Sequence, residues 1–188
     1  MSSGQKLTGL ALSVLDESVS RAMAAFKEKN QFAVARSMVD ALLPAECLWS
    51  VDLVVAVPSA SATFKKRGFV PAELIAHRVA KRWRLPHLRS ALTLVRPVED
   101  QAALSVDERQ QNLIDAMRAS PRISGKRVLL VDDIVTTGST LTEAARALAA
   151  AAAEPVAFVV LAETLRRQAP SPRPAGFQVG PMRSPKIV

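Results

Sequence analysis

The stretch Val128-Leu-Leu-Val-Asp-Asp-Ile-Val-Thr-Thr-Gly-Ser-Thr140 decides how the rest of the chain is read. Its first four residues are apolar throughout and rich in β-branched side chains, the composition of a parallel strand buried on both faces. Asp132 and Asp133 stand at the carboxyl end of that run, the edge at which open α/β sheets bind ligands. Thr136, Thr137, Gly138, Ser139 and Thr140 then offer hydroxyls and backbone N–H groups immediately before an alanine-rich segment that reads as a helix. Such a loop suits an anion at a helix N-terminus, with Gly138 free to take a positive φ.

The two halves imply one ligand chemistry. Adjacent carboxylates match the neighbouring hydroxyls of a ribose, and the hydroxyl-rich loop matches its 5′-phosphate. Two similar-looking motifs are excluded by order. A Walker loop requires a Gly-Lys-Ser/Thr ending, and a receiver domain requires a phospho-acceptor Asp on a later strand, whereas no Asp follows Asp133. Position for position, Val128–Thr140 resembles the signature of type I phosphoribosyltransferases, which bind 5-phosphoribosyl 1-pyrophosphate (PRPP).

Composition bounds the remainder. The 188 residues suit a single domain, expected over residues 1–167, with residues 168–188 a disordered, basic, Pro-rich tail. No apolar run reaches the length of a membrane span, and MSSGQKLTGL lacks the form of a signal peptide, so the expected location is cytoplasmic, with no membrane partner. Cys47 is the only cysteine, which excludes an intramolecular disulfide and a cysteine zinc ribbon and leaves a small buried residue as its expected role. The net charge of +8 is unevenly spread, with five basic residues and no acid beyond Glu163. Between Ser61 and Asp100 nine Lys or Arg face three acids, a balance that suits a polyphosphate or a nucleic-acid backbone.

In chain order, Gly9–Leu15 reads as a strand and Asp16 as the N-cap of a helix carrying Val19, Met23 and Phe26 on one side. A second helix over 31–43 ends at Pro44. Leu53–Ala60 reads as another buried strand that breaks at Pro58 into small residues and then into Phe64-Lys-Lys-Arg-Gly-Phe69. Pro71 opens a helix to Trp83, with Leu74, Ile75 and Val79 inward. His77 and His87 lack the company a metal site needs and read as surface or structural residues. Arg96–Asn112 is polar, contains a Ser105-x-x-Glu108 capping box and lies between two strand candidates, the pattern of a mobile hairpin or lid. A helix over Leu141–Ala152 and a parallel strand over Pro155–Glu163 complete the expected fold: α/β, a mostly parallel central sheet flanked by helices, with a lid hairpin.

Arg67-Gly-Phe69, Ala72-Glu-Leu74, Arg96, Gln101, Leu104, Arg109 and Asn112 together resemble the ComF (competence protein F) branch of that family. Three features depart from it: the N-terminal cysteine ribbon is missing, Val70-Pro71 replaces Asn-Gln, and Asp100 stands where Thr is common. Thr136 occupies the position of an Asp in purine-salvage members, which makes a purine acceptor of that type a poor expectation. The resemblance implies transfer of ribose 5-phosphate from PRPP to a nitrogenous acceptor, with pyrophosphate leaving. Asp132 and Asp133 would be catalytic, and Thr136–Thr140 would hold the 5′-phosphate. Ser59, Ala60, Lys65, Lys66, Arg67 and Gly68 would hold pyrophosphate, while Arg96, Gln101 and Arg109 would serve in the lid. Mg²⁺ is expected to arrive with PRPP rather than in a cage of protein ligands. The ComF resemblance equally allows a non-catalytic PRPP or nucleotide binder acting in DNA uptake or regulation, with single-stranded DNA as a partner, and it leaves a homodimer open.

Overall fold

The computed structural model describes residues 7–59, 67–98, 111–164 and 177–179. Five strands form one sheet: β1 (Leu7–Val14), β2 (Leu53–Ala56), β5 (Arg127–Val135), β6 (Glu154–Glu163) and β7 (Phe177–Val179), in the order β2-β5-β6-β1-β7. Every neighbouring pair is parallel. A separate antiparallel pair joins β3 (Leu92–Leu94) to β4 (Met117–Ala119). The helices are α1 (Glu17–Lys29), α2 (Phe32–Leu42), α3 (Pro71–Trp83) and α4 (Ser139–Ala150).

The strand alternation explains the layering. Along β5, Val128 and Leu130 face α4 residues Leu141, Ala144 and Leu148 together with Leu92 and Met117. Leu129 and Val131 face Met23 and Phe26 of α1, Val39 of α2, and Ile75 and Val79 of α3. Successive strand residues point to opposite faces, so a strand that is apolar at every position must be covered on both. All four residues Val128–Val131 are fully buried. Between β5 and β6 the register slips after Val128, which lies opposite Pro155. Proline brings no N–H to a ladder, a local reason for an irregularity there.

Local signals set the ends of the elements. Asp16 caps α1 by accepting the Val19 N–H at 2.7 Å, and Asn30 closes it in the left-handed region. Pro71 occupies the first turn of α3, where a missing N–H costs nothing. The strand over Leu53–Ala56 is shorter than the expected Leu53–Ala60, because the chain leaves the sheet before Pro58. At the start of the sheet, Arg127 donates from its backbone and side chain to Asp52 at 2.8 Å each, fastening β5 to the residue that precedes β2.

Two expectations are corrected. Within the stretch expected to be a disordered tail, Phe177–Val179 pairs with Leu7–Gly9 of β1. The outer side of β1 presents unpaired backbone groups, and Phe-Gln-Val has the β-prone composition to meet them. Cys47 is half-buried rather than fully buried, its thiol donating to the Trp49 carbonyl at 3.3 Å. The histidines lie as expected: His77 is exposed on α3, and His87 sits beside Glu73 with its Nε2 3.2 Å from that carboxylate. Among the described residues no helix is long and apolar enough to cross a membrane.

Candidate functional site

The candidate site lies where β5 leaves the buried sheet. Asp132 and Asp133 lie in its carboxyl-terminal half, which continues beside β6 to Val135, and the Asp133 N–H donates to Oδ1 of Asp132 at 2.8 Å. Burial pushes the Asp132 carboxyl up to about 8, and the neighbouring Asp133 charge adds to the rise. The Asp133 N–H and the charge of Lys27 oppose it. Lys27, in the last turn of α1, brings its Nζ to 2.6 Å from Oδ2 of Asp133, with both side chains about four-fifths buried.

Beyond the acids the chain turns through Thr136, Thr137 and Gly138 into α4. Gly138 takes φ 86°, the left-handed conformation that admits glycine without strain, and its carbonyl receives the Thr142 N–H at 2.9 Å. Thr137 and Ser139 are buried, and their hydroxyls lie 2.9 Å apart. The Ser139 N–H approaches Thr137 Oγ1 at 3.3 Å. Thr136 is exposed and Thr140 half-buried. The arrangement collects hydroxyls at a helix start, where the first N–H groups have no partner within the helix.

The basic loop is anchored from below. Phe69 packs against Phe26 and Phe32, with ring centroids 5.7 and 4.9 Å apart. This wedge carries Gly68, at φ 75°, and Arg67, whose Nε and Nη2 donate to Oε1 of Glu28 at 3.2 and 2.7 Å. Consecutive residues of α1 therefore reach both parts of the site, Lys27 the acid pair and Glu28 the basic loop. Reading the sequence alone missed both. A Lys-Glu pair in the last turn of an amphipathic helix looks like ordinary solvated charge, with the lysine favourably placed against the helix dipole.

The other expected residues fall as follows. Ser59 is half-buried just beyond the end of β2, the strand that adjoins β5. Ala60, Lys65, Lys66, Gln101 and Arg109, with the Ser105-x-x-Glu108 box, lie outside the described residues. Arg96 lies just past β3 and donates from Nη2 to the carbonyls of Asn112 and Ile114 at 3.0 and 2.8 Å, joining the two chain segments that flank residues 99–110. Behind them, buried Glu143 accepts the Met117 N–H at 3.0 Å and pairs with Arg146 at 2.7 Å, tying α4 to β4.

A parallel sheet carrying an acid pair and a hydroxyl-rich loop at its carboxyl edge is the layout of an α/β ligand-binding protein. The phosphoribosyl transferase domain family matches residues 49–176, and the chain belongs to that family. It is 30% identical to competence protein F of Haemophilus influenzae over 133 residues, 65% of this chain and 58% of that protein. To the DNA utilization protein YhgH of Escherichia coli (strain K12) it is 32% identical over 114 residues, covering 61% and 50% of the two chains. The chain thus spans about half the length of the curated relatives it matches. Among solved structures, adenine phosphoribosyltransferase from Thermoanaerobacter pseudethanolicus aligns with a TM-score of 0.42 at 14% identity, over 74% of this chain and 83% of that one.

Proposed function

We propose that the site binds PRPP and that the protein transfers its ribose 5-phosphate to a nitrogenous acceptor, releasing pyrophosphate. One observation carries this reading: in a chain of the phosphoribosyl transferase domain family, the Asp132–Asp133 pair directly precedes the Thr136–Thr140 loop at the carboxyl end of β5. The acid pair would hydrogen-bond the ribose diol, and the charge of Asp133 would favour the cationic sugar that develops as pyrophosphate departs. Thr137, Ser139 and the first N–H groups of α4 would hold the 5′-phosphate. Ser59, Arg67 and Gly68 would face the pyrophosphate together with Ala60, Lys65 and Lys66. Arg96, with Gln101 and Arg109, would support a lid that keeps water from the reacting sugar.

Mg²⁺ fits this donor set. Asp132 and Asp133 present carboxyl oxygens beside the sugar, and an ion arriving with PRPP would take its shell from ligand oxygens and water. When bound, the ion supplies positive charge to the departing pyrophosphate. The expected location is the cytoplasm, and a homodimer is compatible with the reading.

A second reading is favoured by the printed names of the relatives, competence protein F and DNA utilization protein. Here the protein binds PRPP or a nucleotide without turnover and acts in DNA uptake or regulation, with single-stranded DNA as a partner. One experiment separates the two readings. Calorimetry with ribose 5-phosphate and with PRPP in Mg²⁺ tests the site, and pyrophosphate release across a panel of amine and heterocyclic acceptors tests turnover. Binding that is abolished by Asp132→Asn/Asp133→Asn, with acceptor-dependent release, supports the transferase. Binding without release, joined to salt-sensitive capture of single-stranded DNA, supports the second reading.

A further inference from the structure

The last turn of α1 carries an inference beyond the assignment of the acid pair and the basic loop. Successive helix residues project about 100° apart, so adjacent side chains ordinarily serve different surroundings. Here Lys27 reaches Asp133 and Glu28 reaches Arg67, so one turn touches both parts of the site. An ammonium carries three N–H donors, and among the described residues Asp133 is the partner of Lys27. In PRPP the carbon bearing pyrophosphate adjoins the carbon bearing the 2-hydroxyl. A cation touching the carboxylate that holds the diol is therefore next to the pyrophosphate as well. Arg67, meanwhile, spends two of its donors on Glu28, although its guanidinium is the kind of group that grips phosphate oxygens in pairs.

We propose that Lys27 is a ligand-contacting residue that reads the 1-pyrophosphate of PRPP while it balances Asp133, and that Glu28 holds Arg67 until the pyrophosphate takes its place. The inference rests on the PRPP reading above. It makes the end of α1 a discriminator between PRPP and ribose 5-phosphate, which share the diol and the 5′-phosphate and differ in the group on C1.

The test is calorimetric titration of ribose 5-phosphate, PRPP and inorganic pyrophosphate into the full chain in Mg²⁺ buffer, using wild type, Lys27→Met, Lys27→Arg and Glu28→Gln. Lys27→Met is expected to lose about tenfold in PRPP affinity and under about threefold for ribose 5-phosphate, as suits one charge-assisted contact. Lys27→Arg recovers most of that loss. Glu28→Gln binds PRPP and pyrophosphate severalfold more tightly, because Arg67 is released at lower cost. Equal losses for both sugar phosphates in Lys27→Met would show that the lysine only neutralises the acid pair and would overturn the proposal. So would unchanged PRPP binding, or weaker pyrophosphate binding in Glu28→Gln. Should Lys27→Met fail to fold, Lys27→Arg and Glu28→Gln still decide the matter through the contrast between ligands. A wild-type protein silent to both sugar phosphates would instead overturn the PRPP reading itself, and this inference with it.

Discussion

The backbone N–H of Asp133 donates to Oδ1 of Asp132 across 2.8 Å, so the two acids are held in a fixed relation before any ligand arrives. That bond and the Lys27 charge favour the ionised Asp132, but burial and the Asp133 charge outweigh them and raise its pKa from 3.8 to about 8. The folded state therefore retains a proton that the unfolded chain loses near pH 4. The resulting stabilisation is complete below pH 4, declines as pH rises from about 4 to 8, and then levels off. Thermal melts between pH 5 and 8 should show this decline in wild type and its absence in Asp132→Asn, which should become the more stable protein by pH 8. A parallel pH dependence in both proteins would remove Asp132 as the cause.

Asp52 behaves with the opposite sign. Its bonds to the Arg127 side chain and backbone lower its carboxyl to about 2, so its contribution is present above pH 4 and is lost as pH falls toward 2. Asp52→Asn should melt below wild type at pH 6, and the gap should narrow in acid. Because Asp52 and Asp132 titrate in separate windows, one series of melts resolves both.

Gly9 lies opposite Phe158 across the β1–β6 ladder, and a methyl group added to it would run into that ring. Gly9→Ala should destabilise the protein by about 1–3 kcal/mol, the usual cost of overfilling a tight core. Chemical denaturation of Gly9→Ala/Phe158→Leu checks the cause: the double variant should recover part of the loss, whereas purely additive losses would point elsewhere.

Glu143 receives the Met117 N–H and the Arg146 guanidinium while buried beneath β4. Glu143→Ala strands both donors and should cost about 1–3 kcal/mol, discounted because Arg146 remains partly in water. Its effect on ribose 5-phosphate affinity should be smaller, since Glu143 lies one helical turn beyond the loop. Denaturation and calorimetry on the same preparation separate the two effects.

Ser139→Ala removes a hydroxyl that meets Thr137 inside the buried loop. Affinity for ribose 5-phosphate should fall about tenfold, while Thr136→Ala, which alters an exposed side chain, should change it far less. Equal effects at the two positions would contradict the assignment of the inner hydroxyl to the 5′-phosphate.

What the sequence disclosed follows from how local the physics is. Val128–Val131 has to be covered on both faces because every position is apolar, and that property can be read without coordinates. The acid pair, the positive φ of Gly138 and the start of α4 follow within a few residues, as does the Asp16 cap. The contacts of Lys27 with Asp133, Asp52 with Arg127 and Gly9 with Phe158 join segments far apart in the chain, and neither partner has a local signature. The pairing of Phe177–Val179 with β1 escaped for a related reason. Three residues of modest β propensity amid proline and arginine look like tail until an open ladder is there to receive them.

The margins of the main sheet bear on how copies of this protein can associate. On one side Pro86 and Leu88 exchange hydrogen bonds with Val54 of β2, and on the other β7 lies along Leu7–Gly9. Backbone groups engaged in this way are withdrawn from zipping two molecules into one continuous β-ribbon. The three residues of β7 cover only the first part of β1, so what edge remains on that side is short and offers a second strand little to grip.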